Sequence, residues 1–327
     1  MSSGTPFEFP LDPSTDLSIC IVNTNNRQLL RGCLRSIHGQ DHGVCFEVIV
    51  VDNASTDGSV EMIAAEFPAV QVIAGTVRRS YAANNNLAIR RSCGRYVMLL
   101  NDDTEVMPGA LRAHVRYLDE HPEAGVTGGR THLPDGRVQL GCARLLPRLE
   151  FDVYDLLHLS TWWPTHRRLG AYCFGWWDHS SVRRIELPIE ANMVLRREVI
   201  ERVGLMDEAF NVVFGEGPDW LRRIRDAGYT VMFLPEADVL HYGGQTMGRA
   251  RQGSIYRYRD NSWRYYRKHD GRPKAEVFRL LVLITQTIMV GVYLLRTPFK
   301  KDDAGYLRNG LRESWTGIRW SLGLKPR

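Results

Sequence analysis

The sequence predicts an α/β protein, a mostly parallel central sheet flanked by helices, followed by a helical C-terminal extension. Three observations carry this. Short apolar runs take turns with segments of helical spacing through residues 17–120, in the order β-α-β-α-β-α-β-α. The runs lack the apolar–polar alternation of a half-exposed strand, as expected of strands covered on both faces. Beyond residue 250 the strand pattern stops, and polar-basic and apolar stretches of helical length replace it.

Residues 17–22 form the first expected strand, closed by Asn23, Thr24, Asn25 and Asn26. Leu29, Leu30, Cys33, Leu34 and Ile37 then recur at helical spacing. Residues 46–51 are the second strand, ended by the polar loop 52–58, where Asp57 or Ser59 can cap a helix bearing Val60, Ile63, Ala64 and Phe67. A short third strand at 70–73 precedes a helix over 80–91 that carries Asn84, Asn85 and Asn86 on its first turns. Residues 96–100 are a buried strand that runs into Asn101, Asp102, Asp103 and Thr104, with a helix over about 108–120 beyond. Later strands are expected at 124–129, 189–195 and 231–234, and later helices at 197–203 and from Pro218 onward.

The strand ends carry the chemistry. Adjacent carboxylates such as Asp102 and Asp103 repel unless a cation or hydrogen-bond donors lie beside them. Ligands of open α/β sheets lie outside the carboxyl ends of the strands. The pair therefore marks either a metal-dependent site or a loop in which Asp103 or Thr104 caps the next helix. Asn23, Asn25, Asp52 and Asn53 end two other strands in the same polar manner. No G-x-G-x-x-G follows the first strand, which disfavours a dinucleotide-dependent dehydrogenase. Amides and carboxylates suit the ribose, base and metal-bound diphosphate of a nucleotide. Glu216 and Asp219 sit at the start of a helix, where the dipole favours carboxylates whatever their function. His241 follows a short apolar stretch and is either a core or surface histidine or a metal ligand. Trp162, Trp163, Tyr172, Phe174, Trp176 and Trp177 form either a satellite core or a platform for sugar rings.

Composition narrows the setting. The 327 residues allow one large domain or two modest ones. None of the six cysteines forms a C-x-x-C pair, so they read as buried free thiols of a reducing compartment. The first 16 residues lack a basic start and an apolar core, unlike a secretory signal, and read as a flexible lead. The net charge of +5 is mild and concentrated late, in Lys300, Lys301, Arg308, Arg312, Arg319, Lys325 and Arg327, and no nucleic-acid partner is expected. Residues 280–295 are the most apolar stretch, bracketed by Arg279 and Arg296. At 16 residues it falls short of the roughly 20 that span a bilayer. It reads as a packing helix, an interfacial helix or a short span, and the basic tail favours peripheral membrane contact.

Five segments, in order, resemble glycosyltransferase family 2, and within it the rhamnosyltransferase-like enzymes: residues 21–37, 50–59, 94–106 with the preceding Asn84–Asn86, 191–225, and 234–246. The resemblance implies a GT-A fold with a Rossmann-like nucleotide-binding half. It divides the chain into a lead (1–15), a transferase domain (16–250, its donor half 16–130 and acceptor half 131–250) and a helical region (251–327) that contacts a membrane. It implies an inverting transferase using a dTDP- or UDP-sugar, Mg²⁺ or Mn²⁺, and a glycan or lipid-linked acceptor, in the cytoplasm at the inner face of the cell membrane. Rhamnose is the sugar it suggests. By the same resemblance Asp52, with Asn23, Asn53 and Asn85, lines the nucleotide pocket. Asp103 binds the metal with Asp102 alongside, and His241 contacts the metal or diphosphate. The family's acidic segment reads Glu216-Gly217-Pro218-Asp219 here, with Gly217 in place of the second acid. Glu216, then Asp219, is the implied general base. Arg222 and Arg223 touch the diphosphate or pair with nearby acids. A catalytically silent nucleotide-sugar-binding homologue is the alternative that Gly217 raises. A sugar nucleotidyltransferase is a third, disfavoured because no glycine-rich, Lys/Arg-bearing loop opens the domain.

Overall fold

The computed structural model describes residues 10–210, 215–243, 254–296 and 304–324. These group into two compact units, one within 1–146, 178–211 and 219–246, the other within 147–177, 212–218 and 247–327. The first unit carries the sheet. Its elements are β1 (Leu17–Asn23), α1 (Arg27–His38), β2 (Phe46–Asp52), α2 (Ser59–Glu66), β3 (Gln71–Ala74), α3 (Tyr81–Arg91), β4 (Tyr96–Asn101), β5 (Thr104–Val106), α4 (Ala110–Glu120), β6 (Ala124–His132) and β7 (Ala143–Arg144). After the inserted helices α5 (Leu149–Leu156) and α6 (Leu159–Trp162) come β8 (Arg183–Ile185), β9 (Leu187–Pro188), β10 (Asn192–Arg196), α7 (Arg197–Val203), α8 (Glu216–Asp226) and β11 (Thr230–His241).

The main sheet runs β3-β2-β1-β4-β10-β6-β11-β5, with β8 also on β11. Strands β3, β2, β1 and β4 are parallel, as the alternation of elements predicts. The later half is mixed: β10 lies antiparallel between β4 and β6, and β11 runs parallel to β6 but antiparallel to β5. β10 is wedged between β4 and β6, neither of which is its neighbour in sequence, so its direction has no signature in a local apolar run. Side chains alternate across the sheet. Ile19, Ile21, Val48, Val50, Met98 and Leu100 meet Leu30, Leu34 and Ile37 of α1, Ile63 of α2 and Leu111 and Val115 of α4. Cys20, Ile49, Val97 and Leu99 occupy the opposite face, where α3 packs on β1 and β2.

Three local expectations change. Strand β11 spans 12 residues, because Pro235–Leu240, which look like loop, continue the strand through a register shift between Leu234 and Val239. A strand proline is tolerated at such an irregularity, where no ladder N–H is needed. The helix after the Asp102-Asp103 pair is capped by Gly109, so neither Asp103 nor Thr104 caps it, and Thr104 instead opens β5. All six cysteines are free, but Cys45 is exposed.

A buried polar network ties β10 to its neighbours. Asn192 Nδ2 donates to the Ala237 and Arg130 carbonyls at 2.8 and 3.1 Å. Its Oδ1 accepts from His114 Nε2 at 3.0 Å, and His114 Nδ1 accepts from the Thr127 hydroxyl at 2.8 Å. Gly129 makes room: a Cβ there would lie 2.0 Å from the Ala237 carbonyl oxygen and 2.1 Å from Asn192 Nδ2.

The second unit is helical: α5, α6, α9 (Ser254–His269), α10 (Arg272–Arg296) and α11 (Ala304–Ser321). The insertion 147–177 groups with these helices and not with the sheet. Its aromatics divide, Phe174 and Trp177 being buried while Trp162 and Trp163 are exposed. Tyr265, Tyr266, Phe278 and Trp320 form the unit's interior. The apolar stretch lies within α10, a helix of 25 residues that by length and composition could cross a membrane and is a third buried over its most apolar part. One face, with Ala275, Phe278, Val282 and Met289, is buried, and the other exposes Val277, Leu280, Ile284, Ile288, Leu294 and Leu295. Lys300, Lys301, Lys325 and Arg327 lie outside the described residues.

Burial holds His114 neutral and pushes its pKa down from 6.5 to about 4. The unfolded chain therefore binds the extra proton first, so stability from this group is full above pH 6.5 and is lost as pH falls towards 4. The loss is on the order of 3 kcal/mol. His114→Phe should flatten the dependence of urea-derived stability on pH across this window, and an unchanged slope would remove His114 from the account.

Candidate active site

The register of the parallel strands builds the site. Asn23 is paired with Asp52 across β1 and β2, and Val22 with Asn101 across β1 and β4. All three strands thus release their chains at the same edge, the carboxyl edge at which ligands of such sheets bind. The loops then turn sharply, with Asn25 and Ala54 in the left-handed region at φ 54° and 55°. Few non-glycine residues adopt this conformation, and it is held here by hydrogen bonds. Asn25 N donates to Ser55 Oγ at 3.0 Å, Thr56 N to Asn25 Oδ1 at 2.8 Å, and Ser55 N to Asp52 Oδ1 at 2.8 Å. Asp57, expected at the α2 cap, spans both helices: Oδ1 accepts from Ser59 and Oδ2 from the first amide of α1, Arg27 N, at 2.8 Å.

The first cluster joins Asn23 and Asp52. Asn23 Nδ2 donates to Asp52 Oδ2 at 2.7 Å, and both side chains are buried. Asn23 Oδ1 is buried with no hydrogen-bond partner among the described residues, a capacity costly to leave unmet. Asn53 exchanges bonds with the Arg79 backbone through Oδ1 at 2.8 Å and Nδ2 at 3.2 Å, and its Nδ2 also lies 3.4 Å from Thr24 Oγ1. Asn85 is buried in α3, with Nδ2 donating to the Tyr81 carbonyl. Its neighbour Asn86 ties α3 to Met206 and Glu208.

The second cluster lies at the joint of β4, β5 and β11. Asp102 is buried, and its Oδ2 accepts from Asn26 Nδ2 at 3.0 Å and from Thr24 N. Burial, and then the charge of Asp103, push the Asp102 carboxyl up to about 7 in spite of those donors. Asp103 Oδ1 lies 3.1 Å from His241 Nε2, and the Asp103 carbonyl accepts from Tyr242 N. On the other side of the ring, His241 Nδ1 lies 2.8 Å from Gln139 Oε1. An amide oxygen accepts, so Nδ1 donates to it, while Nε2 faces the Asp103 carboxylate with Asn101 Nδ2 3.4 Å away. Two acceptors that close need a proton or a cation. A divalent ion fits the donor set: a carboxylate oxygen and an imidazole nitrogen, with a second carboxylate one residue away. Among the described residues no group of three or more His, Cys, Asp and Glu side chains is placed to hold a metal, so such an ion needs further oxygens from a ligand or water.

Residues absent from the sequence expectation complete the site. Thr24 and Asn26 serve Asp102, Ser55 serves Asp52, and Gln139 orients His241. Asn26 was legible as part of the Asn-rich strand end. Gln139 carries no such signal, since its partner lies 102 residues away.

Glu216 and Asp219 share the first turn of α8, and both are buried. Asp219 Oδ2 accepts from Arg223 Nε at 3.1 Å, while Arg223 also donates to the Val203 and Leu205 carbonyls at 2.6 and 2.8 Å. Arg222 donates to Asp226. Both arginines are thus engaged with acids of their own helix, and Asp219 anchors α8 to the chain leaving α7. Residues 211–214 and 244–246, parts of two of the resembling segments, lie outside the described residues.

The model of "Glycosyl transferase family 2" matches residues 18–171, which include Asn23, Asp52, Asp102, Asp103 and Gln139 but not His241. Residues 18–171 are a glycosyl transferase family 2 domain. The chain is 26% identical to the uncharacterized protein y4gI of Sinorhizobium fredii over 278 residues, covering 81% of the chain but 29% of that protein. It is 26% identical over 219 residues to the N-acetylglucosaminyl-diphospho-decaprenol L-rhamnosyltransferase of Mycobacterium tuberculosis, covering 62% of the chain and 68% of that enzyme. Among solved structures it resembles the mannosyltransferase PcManGT of Pyrobaculum calidifontis in complex with GDP-Man and Mn²⁺, at 18% identity, 96% and 89% coverage and a TM-score of 0.51. The architecture is that of GT-A glycosyltransferases.

Arg223→Met should leave the buried Asp219 without its guanidinium and lower the unfolding free energy by about 3 kcal/mol in urea. A loss below about 0.5 kcal/mol would show that the pair does not anchor α8.

Proposed function

We propose that this chain is an inverting, metal-dependent glycosyltransferase. It moves a sugar from a nucleotide-diphospho-sugar to a hydroxyl of a growing cell-surface polysaccharide or lipid-linked glycan. The observation that carries the reading is the meeting of Asn23–Asp52 and Asp103–His241 at one edge of one sheet. In this reading Asp52 and Asn23 hold the base and ribose, and the unmet Asn23 Oδ1 takes a donor from the nucleotide. Asp103 and His241 hold Mg²⁺ or Mn²⁺, with Asp102 beside them. Bound there, the ion offsets the charge that develops on the leaving diphosphate. Gln139 keeps the His241 lone pair turned to the Asp103 side. Glu216 is the base that takes the acceptor's proton, with Asp219, which Arg223 engages, second. The name of the mycobacterial relative makes an L-rhamnose donor the first to try.

The test is nucleoside diphosphate release from a panel of dTDP-, UDP- and GDP-sugars with lipid-linked glycan acceptors, with Mn²⁺ or with chelator. Asp103→Asn should lower kcat about 100-fold or more. Glu216→Gln should lower kcat by a similar factor and leave donor affinity unchanged. No turnover with any donor would sink the proposal, and calorimetric nucleotide binding without turnover would favour the silent homologue.

We further propose that the helical unit meets the inner face of the cell membrane. The support is the aliphatic stripe of α10, Val277, Leu280, Ile284 and Ile288, each 45–54% exposed, with exposed Arg308 and Arg312 on α11. Burying such side chains contributes about 1.5–3 kcal/mol each. Co-flotation with vesicles containing anionic lipid should therefore fall at least tenfold in the Leu280→Glu, Ile284→Glu double variant. Equal flotation of variant and wild type would refute the contact.

A further inference from the structure

The helical unit holds a cavity of about 270 Å³ with mixed polar and apolar walls, lined entirely by its own residues from α5, α9, α10 and α11 and the 158 turn. None of those residues belongs to the Asn23–Asp52 or Asp103–His241 clusters. Its wall includes Arg259, which is only 6% exposed. Arg259 Nη1 is buried and has no hydrogen-bond partner among the described residues. Leaving a charged donor unmet in the interior costs several kcal/mol, so native structures rarely do it without a partner to come.

The position of this arginine depends on a small residue opposite it. A Cβ at Gly317 of α11 would lie 1.7 Å from Arg259 Nη1, and one at Gly310 would lie 2.4 Å from the Tyr293 ring. Gly310, Ser314 and Gly317 lie along one face of α11, and Gly310 and Ser314 line the cavity. Side chains of ordinary size on that face would fill the space.

The chemistry of the wall selects the ligand. Asp155 and Glu313 line it with Arg259, and both act electrostatically on the guanidinium. Asp152, also in the wall, already accepts a bond from the Tyr266 hydroxyl. An anion would meet more carboxylates than cations. A small cation would meet the guanidinium, and among the described residues there is no metal-binding group. A neutral ligand rich in hydroxyls meets neither objection, because each hydroxyl both donates to a carboxylate and accepts from a guanidinium. Tyr258, Phe278 and Tyr293 add aromatic surface for the C–H face of a ring. By the roughly 30 Å³ that each water occupies in the liquid, the volume equals about nine waters, ample for one sugar ring.

We propose that the helical unit binds one sugar ring of a glycan in this cavity, with Arg259, Asp155 and Glu313 as its polar contacts. The site goes beyond the transferase reading and stands without it, since it uses no residue of the donor clusters. Saturation-transfer NMR on the full chain, with D-glucose, D-galactose, D-mannose, N-acetyl-D-glucosamine and L-rhamnose as probes, tests it. At least one sugar should give a signal in the wild type and in Asp103→Asn. Its Kd should rise at least tenfold in Arg259→Met. Ser314→Leu, which fills the cavity from α11 and leaves Arg259 in place, should raise the Kd similarly in a chain that melts like the wild type. No signal from any sugar overturns the proposal. So does a signal that survives both cavity variants, one lost in Asp103→Asn, or inorganic phosphate binding at Arg259 in place of the sugars. Failure here would leave diphosphate release, and the transferase reading with it, untouched.

Discussion

Two acceptors, Asp103 Oδ1 and His241 Nε2, are held 3.1 Å apart where β4 gives way to β5 and β11 ends. Much of the first unit serves to keep them there. The β11–β5 pairing sets His241 opposite Thr104, the residue after Asp103. Tyr242 N closes on the Asp103 carbonyl, so the backbones of the two segments are fastened together on both sides of the contact. Gln139 fixes the far side of the imidazole. Either a proton on the imidazole or a bound cation satisfies such a pair.

The same edge of the sheet makes the demand specific. Parallel register delivers Asn23 and Asp52 beside one another, and the loop after β1 reaches both clusters, through Asn23 to Asp52 and through Thr24 and Asn26 to Asp102. A nucleotide base and a metal-bound diphosphate ask for this combination, hydrogen-bonding amide and carboxylate at one end and hard anionic oxygen at the other. Asp102, with its carboxyl raised to about 7 by burial and by Asp103, is the group whose ionisation a nearby cation would favour most.

Two structural devices lie away from this edge. The Asn192–His114–Thr127 network pins an antiparallel strand into an otherwise parallel neighbourhood, using Gly129 to bring the amide within reach. In the helical unit, α10 is apolar on both faces, one face closing the interior and the other left to the surroundings. A helix of that composition meets its environment through side chains that water does not favour.

By itself the sequence determined the alternating α/β plan, the strands from Leu17 to Asn101 and the acidic or amide residue that ends β1, β2 and β4, because apolar periodicity and strand-end polarity are local properties. It also carried the family, through short motifs in order. The tertiary structure alone decided the rest. Whether Asp103 capped a helix or faced a histidine depended on β11 pairing with β5, a contact between residues more than 130 positions apart. That Asp219 meets Arg223, which in turn reaches the chain after α7, is also a contact the sequence does not announce. That Gln139 sets the His241 ring, and that the insertion 147–177 joins the C-terminal helices, are likewise matters of distant contact. Periodicity reports which face of an element is buried, and only the folded chain reports what it is buried against.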